Sequence, residues 1–413
     1  MVTVTGLGGF REVGRSAILV EGKQRFLMDY GLSVQEMDIP LPAPLPLDGV
    51  FLSHAHLDHC GIIPELYKRG YKGRVFATPA THELASLMLA DALKVQKKRS
   101  LPSFYAPHDL EAYERSAKAL HFGQKLTIGH AEAAFFDAGH VPGSSAILLQ
   151  AEGKRILYTG DIKFSATELM PAAFDQYKNI DLLISESTYS TKDHPDRTEL
   201  RKELVNHVID VVNANGIALF PVFSIGRTQE ILQVLADLDV PLTLDGMGRD
   251  ATQIALKHKA CRNPAKLLKA FSKAHKVRSA SDRAKALREP GAIVTTAGML
   301  NGGPIAHYLE KLHDKENCSL YISGFQAPGT VGRILKDTGR YVSEEVNVKP
   351  KLQILFRDWS AHAGRSEILE FIRKVKPKKT LFVHGDRCEE FAFELTRMGH
   401  QALAPAIGEA VEV

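Results

Sequence analysis

The chain lacks the features that would mark it as secreted, membrane-bound or disordered. It has only four cysteines, Cys60, Cys261, Cys318 and Cys388, which are scattered and form no CxxC pair. They read as reduced cytosolic thiols rather than a disulfide framework. No apolar run approaches the length needed to cross a bilayer, so no membrane association is expected. The start, Met1-Val2-Thr3-Val4-Thr5-Gly6, is too short for a signal peptide, and the expected location is cytoplasmic. Low-complexity tracts and short-period repeats are absent. The apolar and charged fractions, 44% and 24%, are ordinary and argue against disorder. A strong charge of one sign is missing as well, since the net charge is only +4. What is left is a chain of 413 residues, enough for a substantial core and two or three domains.

On that background His54-Ala55-His56-Leu57-Asp58-His59 stands out, directly after the apolar Val50-Phe51-Leu52. Two histidines at i and i+2, followed by an Asp-His pair, cannot share one side of a strand or helix. They suit a tight loop wrapped around more than one metal ion; the competing reading is a solvated polar turn. Imidazole with carboxylate favours zinc over manganese or iron. Further polar residues each sit just past a short apolar run: Asp29 after Phe26-Leu27-Met28, His140 after Ala133-Ala134-Phe135-Phe136, Asp161 after Ile156-Leu157-Tyr158, and His384 after Thr380-Leu381-Phe382-Val383. Glu186 ends Leu182-Leu183-Ile184-Ser185-Glu186. Alone, each is an ordinary strand-end residue. Together they predict convergence on one rim of a sheet, where open α/β folds place their sites. Cys60 abuts His59 but reads as a small buried residue opening the next helix.

Beyond about residue 190 the pattern becomes strand, turn, helix. Ile217-Ala218-Leu219-Phe220-Pro221-Val222 leads through Ser224-Ile225-Gly226-Arg227 into a helical stretch, and Ala292-Ile293-Val294-Thr295-Thr296 leads into Gly298-Met299-Leu300-Asn301-Gly302-Gly303-Pro304. This alternation predicts a parallel sheet with crossover helices. Glycine turns before helices let backbone N–H groups approach a phosphate. Ser224, Arg227, Gly298, Gly302 and Gly303 are therefore candidate substrate contacts, against the plainer reading of ordinary turn chemistry. Residues 257–288 carry many Lys and Arg with Asp282 as the only acid, either a solvated helical face or a polyanion-binding surface. Phe271 is the only Phe, Tyr or Trp in that run, which gives base stacking little support there.

With these motifs the chain resembles, essentially end to end, the metallo-β-lactamase superfamily. Within it, the similarity is to the β-CASP nucleases, namely the cleavage and polyadenylation specificity factor endonuclease subunit and ribonuclease J. Gly6-Leu7-Gly8-Gly9-Phe10-Arg11-Glu12-Val13-Gly14-Arg15-Ser16, Leu27-Met28-Asp29-Tyr30-Gly31 and Ser53 to Gly61 are similar to the cleavage-factor group, especially its short archaeal members. Glu186 fits the first β-CASP motif, His362 in Trp359-Ser360-Ala361-His362-Ala363-Gly364 the second, and His384 in Phe382-Val383-His384-Gly385-Asp386 the third. The family often has an acid where this chain has Gly364.

The resemblance implies an α/β fold: an αββα sandwich made by residues 1–190 and 358–413, with an inserted β-CASP domain, residues 191–357, clamped over its metal edge. It implies two zinc ions per chain, one on His54, His56 and His140, the other on Asp58, His59 and His384, with Asp161 bridging. Asp29 is then a carboxylate that orients a ligand histidine. His362 protonates the 3′ leaving oxygen with Glu186 on its other ring nitrogen, and Asp58 is counted with them as catalytic. The implied activity is hydrolysis of single-stranded RNA, as an endonuclease, a 5′→3′ exonuclease or both, in RNA processing or decay. The alternatives are a hydrolase of DNA, thioesters or lactams, or a non-catalytic subunit of an RNA-processing complex. Small-molecule relatives lack the middle domain, DNA-repair relatives typically lack the third-motif histidine, and degenerate subunits lose ligands that this chain keeps. Homodimerisation is common among such relatives, though no segment here demonstrates it. With no N-terminal RNA-binding extension, recognition is expected to come from the cap or from partner proteins.

Overall fold

The structure, a computed structural model, describes residues 1–343 and 346–413. It divides into two compact units. The first comprises Met1–Ala166, Pro171–Asp193 and His362–Val413; the second comprises Thr167–Met170 and His194–Ala361. No helix among the described residues is long and apolar enough to cross a membrane.

The first unit is an αββα sandwich. One seven-stranded sheet runs, edge to edge, Ala410–Glu412, Thr3–Gly8, Ala17–Glu21, Arg25–Met28, Gly49–Phe51, Val75–Ala77 and Ala117–Ala119. The other runs Ala402–Leu403, Lys379–Val383, Leu182–Glu186, Lys154–Tyr158, Ser145–Ala151, Ala131–Asp137 and Lys125–Ile128. Side chains alternate across a strand, and the strand Leu182–Glu186 shows the consequence. Leu182 and Ile184 join Phe26, Phe51, Phe135 and Ile156 in the core between the sheets. Leu183 points the other way, onto Ile368, Phe371, Phe391 and Leu395 of helices Arg365–Val375 and Cys388–Arg397. Fully burying an aliphatic or aromatic side chain of this kind contributes about 1.5–3 kcal/mol, so both faces of the sheet help hold the strand ends in place.

The second unit carries a sheet ordered His275–Lys276, Leu242–Asp245, Gly291–Thr295, Ile217–Pro221, Ser319–Ile322 and Gln353–Phe356. All its pairings are parallel. Parallel sheets need both faces covered, and here Ala218 and Phe220 pack into one core while Ile217 and Leu219 pack into another.

Candidate metal centre and catalytic residues

The loop after Gly49–Phe51 delivers His54 and His56, and the one-turn helix Leu57–Cys60 delivers Asp58 and His59. His54 Nε2 lies 3.1 Å from His56 Nδ1, and His140 Nε2 lies 3.3 Å from that same nitrogen. Asp161 Oδ2 is 3.4 Å from His54 Nε2 and 3.6 Å from His140 Nε2. The other carboxylate oxygen, Oδ1, turns to a second group, 3.3 Å from His59 Nε2 and 3.6 Å from His384 Nδ1. Asp58 Oδ2 closes that group, 3.3 Å from His384 Nε2. Within each group, one ligand-capable atom per residue lies within 4.8 Å of all the others.

The donor set fits divalent cations. Asp161 Oδ1 is buried without a hydrogen-bond partner, an unfavourable state that a cation relieves. Burial holds the pKa of His54 well below the usual histidine value and lowers that of His56, which favours the neutral imidazole that ligates metals. His59 and His384 go the other way: although burial opposes it, Asp161 and the neighbouring carboxylates push both upward. In Asp161 the opposition of burial is overcome by His384 and His59, which hold the carboxyl well below its usual range. Cys60 is no competing ligand, since burial keeps its thiol protonated and it donates to the Ala55 carbonyl.

Asp29 holds His59 from behind. Its Oδ2 is 2.7 Å from His59 Nδ1 and accepts from Tyr158 OH and Ser53 Oγ, while Oδ1 accepts from the Ser53 amide. Gly31 allows the close approach on which this depends, because a Cβ there would lie 1.8 Å from the Asp58 carbonyl oxygen. Asp29 and His384 both adopt positive φ, +59° and +50°, a local strain that packed surroundings must sustain.

Glu186, His362 and Asp161 form a third group. Glu186 is fully occupied: Oε1 accepts from the Ile162 amide, and Oε2 accepts from Thr188 Oγ1 and lies 2.8 Å from His362 Nδ1. The His362 side chain is 20% exposed and Glu186 only 1%. Burial works against a charge on His362, but Glu186 and Asp161 push its pKa up to about 9. Gly364 gives its N–H to Glu367, which pairs with Lys163, so an acid three residues on braces this turn. Sequence reasoning missed Thr188, Ser53 and Tyr158. The Thr188 hydroxyl lies 3.0 Å from His384 Nδ1 and thereby links Glu186 to the second ligand group. Its position two residues past a strand-end glutamate was the available signal.

The candidate substrate contacts lie in the second unit. Ser224 and Arg227 follow the strand Ile217–Pro221, and Gly298, Gly302 and Gly303 follow Gly291–Thr295, so both turns occupy the carboxyl edge of the parallel sheet. Arg227 is 8% exposed, and its guanidinium is engaged by Glu230 and the Trp359 carbonyl. Much of the basic run is engaged too: Lys266 with Glu168 and Asp237, Arg283 with Asp245, and Lys276 over the Phe271 ring.

Three family descriptions match successive parts of the chain: the metallo-β-lactamase superfamily at 11–204, the Beta-Casp domain at 228–335, and a Zn-dependent metallo-hydrolase RNA specificity domain at 347–405. A probable RNase MJ4 of Methanocaldococcus jannaschii is 35% identical, with 98% of this chain and 99% of that protein covered. The chain belongs to the β-CASP group of the metallo-β-lactamase superfamily. Other β-CASP relatives are RNase aCSPSF2 of Saccharolobus solfataricus, 35% identical with 98% and 84% covered, and the transcription termination factor FttA of M. jannaschii, 33% identical with 100% and 72% covered. The β-CASP chain also shares its fold with a protein of unknown function from Enterococcus faecalis V583, at 15% identity and a TM-score of 0.64 over the whole of both chains. Membership makes the chain a metallo-hydrolase whose centre takes a divalent metal.

Proposed function

We propose that the chain is a zinc-dependent ribonuclease that hydrolyses phosphodiester bonds of single-stranded RNA. The observation that carries the reading is the Glu186–His362 pair set against two groups of metal-ligating side chains, with Asp161 Oδ2 facing one and Oδ1 the other. His54, His56 and His140 would hold one ion and Asp58, His59 and His384 the other, with Asp161 serving both. Imidazole and carboxylate donors suit zinc. When bound, such ions supply a nucleophilic water at neutral pH and neutralise charge on phosphate. The chain's own residues do the rest. His362, held through Nδ1 by Glu186, keeps Nε2 for the departing 3′ oxygen and carries the proton that oxygen needs. Glu186 fixes the ring and favours its protonated form. Asp29 fixes the His59 ring in the same manner. The turns at Ser224 and at Gly298, Gly302 and Gly303 would supply backbone contacts to substrate phosphates. The RNase names of the relatives and the RNA specificity domain support RNA as the substrate.

Water as nucleophile leaves a 5′-phosphate and a 3′-hydroxyl on the products. The test is single-stranded RNA, 5′-labelled or internally labelled, incubated with the zinc-replete protein with and without chelator. Cleavage to 5′-phosphorylated products that stops with chelator is expected; intact RNA beside the zinc-replete protein would overturn the reading. Released mononucleotides against internal fragments separate 5′→3′ trimming from endonucleolytic cutting.

A further inference from the structure

Phe325 is a large aromatic side chain left 57% exposed on a loop that is otherwise tightly fixed. The loop follows the strand Ser319–Ile322, at the carboxyl edge of the parallel sheet, where open α/β folds bind ligands. The neighbouring Gln326 is buried and spends its amide nitrogen on three carbonyls, those of Gly298, Gly324 and Phe325, at 3.0, 3.2 and 2.9 Å. One of these, Gly298, belongs to the glycine turn after Gly291–Thr295. The same two loops are tied again by the Gly332 amide to the Met299 carbonyl and by the Val331 amide to Asn301 Oδ1. A third loop joins through Phe223, whose ring lies so close to Gly324 that a Cβ there would sit 2.8 Å from it. Thr330 ends the segment by capping the helix Val331–Thr338.

An exposed ring is unremarkable by itself; Phe393 is 66% exposed on a helix face. Phe325 differs in being carried at a sheet edge by three interlocked loops, so the backbone that presents its ring is held in place. A flat apolar face of this kind matches a nucleobase, the apolar part of an otherwise anionic strand. The basic run offers no rival platform, because its one Phe, Phe271, is covered by Lys276 at 4.7 Å.

We infer that Phe325 is a base-stacking platform, a specificity-determining residue that holds one unpaired base of the substrate RNA against the carboxyl edge of the parallel sheet. This rests on the ribonuclease reading and adds a residue to it. Stacking accepts any base, so the ring confers a preference for single-stranded over paired RNA with little preference among sequences.

The test uses the full-length zinc-replete protein as wild type, Phe325→Ala and Phe325→Trp, with a single-stranded RNA and a set of copies carrying one abasic residue at successive positions. Stacking of one base is worth about 5–150-fold in affinity. Phe325→Ala should raise KM by an amount in that range with kcat and melting temperature near wild type, and Phe325→Trp should restore KM. In the wild type, one abasic position should raise KM comparably, and in Phe325→Ala that position should no longer matter. A KM for Phe325→Ala equal to wild type, or an abasic effect that persists undiminished in it, overturns the inference. So does a variant whose only change is in self-association, which assigns the ring to a protein contact. No RNA cleavage by the wild type would be the separate failure of the ribonuclease reading, and this inference would fall with it.

Discussion

In the sandwich unit most candidate residues are buried and they answer to one another. Asp161 faces two groups of candidate ligands, Asp29 holds the His59 ring, and Thr188 links Glu186 to His384. In the parallel-sheet unit the candidates are glycine turns, an arginine already engaged by Glu230 and Trp359, and one exposed ring. A buried polar cluster is costly unless completed, so Asp161 Oδ1, buried between two imidazoles without a hydrogen bond, fits a cation. A glycine turn or one exposed ring carries no such buried charge and so declares little about what covers it. Chemistry is therefore more readable from the first unit, and recognition is the part that experiments must decide.

The largest expected effect comes from the ligand groups. Asp58→Ala and His384→Ala should each abolish RNA cleavage with the circular dichroism spectrum unchanged, because the core between the two sheets is built without either side chain. Near wild-type turnover by either variant would show that the second group is dispensable.

Next comes the proposed catalytic pair, His362 and Glu186. His362→Ala should lower single-turnover cleavage by about 10²–10⁴-fold while keeping zinc and RNA binding. Glu186→Gln should be impaired in the same step, and the double variant should be little worse than His362→Ala, since effects within one unit do not add. The pH profile gives an independent reading. With a pKa pushed up to about 9, His362 keeps its proton through neutral pH and loses it as pH rises through that value. A cation beside Asp161 cancels part of the attraction, so the alkaline limb of the holoenzyme should lie at or below pH 9. His362→Ala should lack that limb; a variant that retains it would assign the limb to another group.

Smaller again is the effect of the residue behind the ligands. Asp29→Asn should weaken metal retention by about 10–100-fold, as outer carboxylate partners typically do. Chelator titration reads this directly, and unchanged zinc affinity would reduce Asp29 to a packing residue.

How far the sequence carried differs between the units for the same reason. His140, Asp161 and His384 were legible as polar residues just past apolar runs, and the other candidate ligands as the cluster that follows Val50-Phe51-Leu52, because a strand that is buried on both faces can expose polarity only at its end. The core strand Leu182–Glu186 was legible as a short apolar run closed by a glutamate. Thr188, Ser53 and Tyr158 were not, since a hydroxyl that reaches Asp29 across 24 or 129 residues, or His384 across 196, looks like any other hydroxyl until the fold closes. Nor was the Phe325 loop, whose fixity comes from bonds among three separate turns. Arg227 is ambiguous in the opposite way, because a Gly-Arg turn before a helix reads as a phosphate contact while the guanidinium here turns inward to Glu230 and the Trp359 carbonyl.

That arginine gives the prediction with the smallest effect on rate, and it tests the contrast most directly. If Arg227 holds a substrate phosphate, Arg227→Ala should raise KM and lessen the salt dependence of RNA binding by about 0.7 in log–log slope, the signature of one lost contact to a single strand. The geometry argues otherwise. The guanidinium is buried on Glu230 and the Trp359 carbonyl, and Trp359 is itself a core residue bonded to Tyr321 OH. Removing one partner of a buried pair typically costs about 3–5 kcal/mol, because the other charge is left behind. Here Arg197, 3.8 Å from Glu230, remains to take up part of that charge, so the loss should fall below that range. Arg227→Ala is therefore expected to melt several degrees earlier while KM and salt slope, measured well below the melting point, stay within about twofold of wild type. A changed salt slope in a variant that melts normally would return Arg227 to the substrate and show that the second unit, too, keeps its recognition chemistry buried.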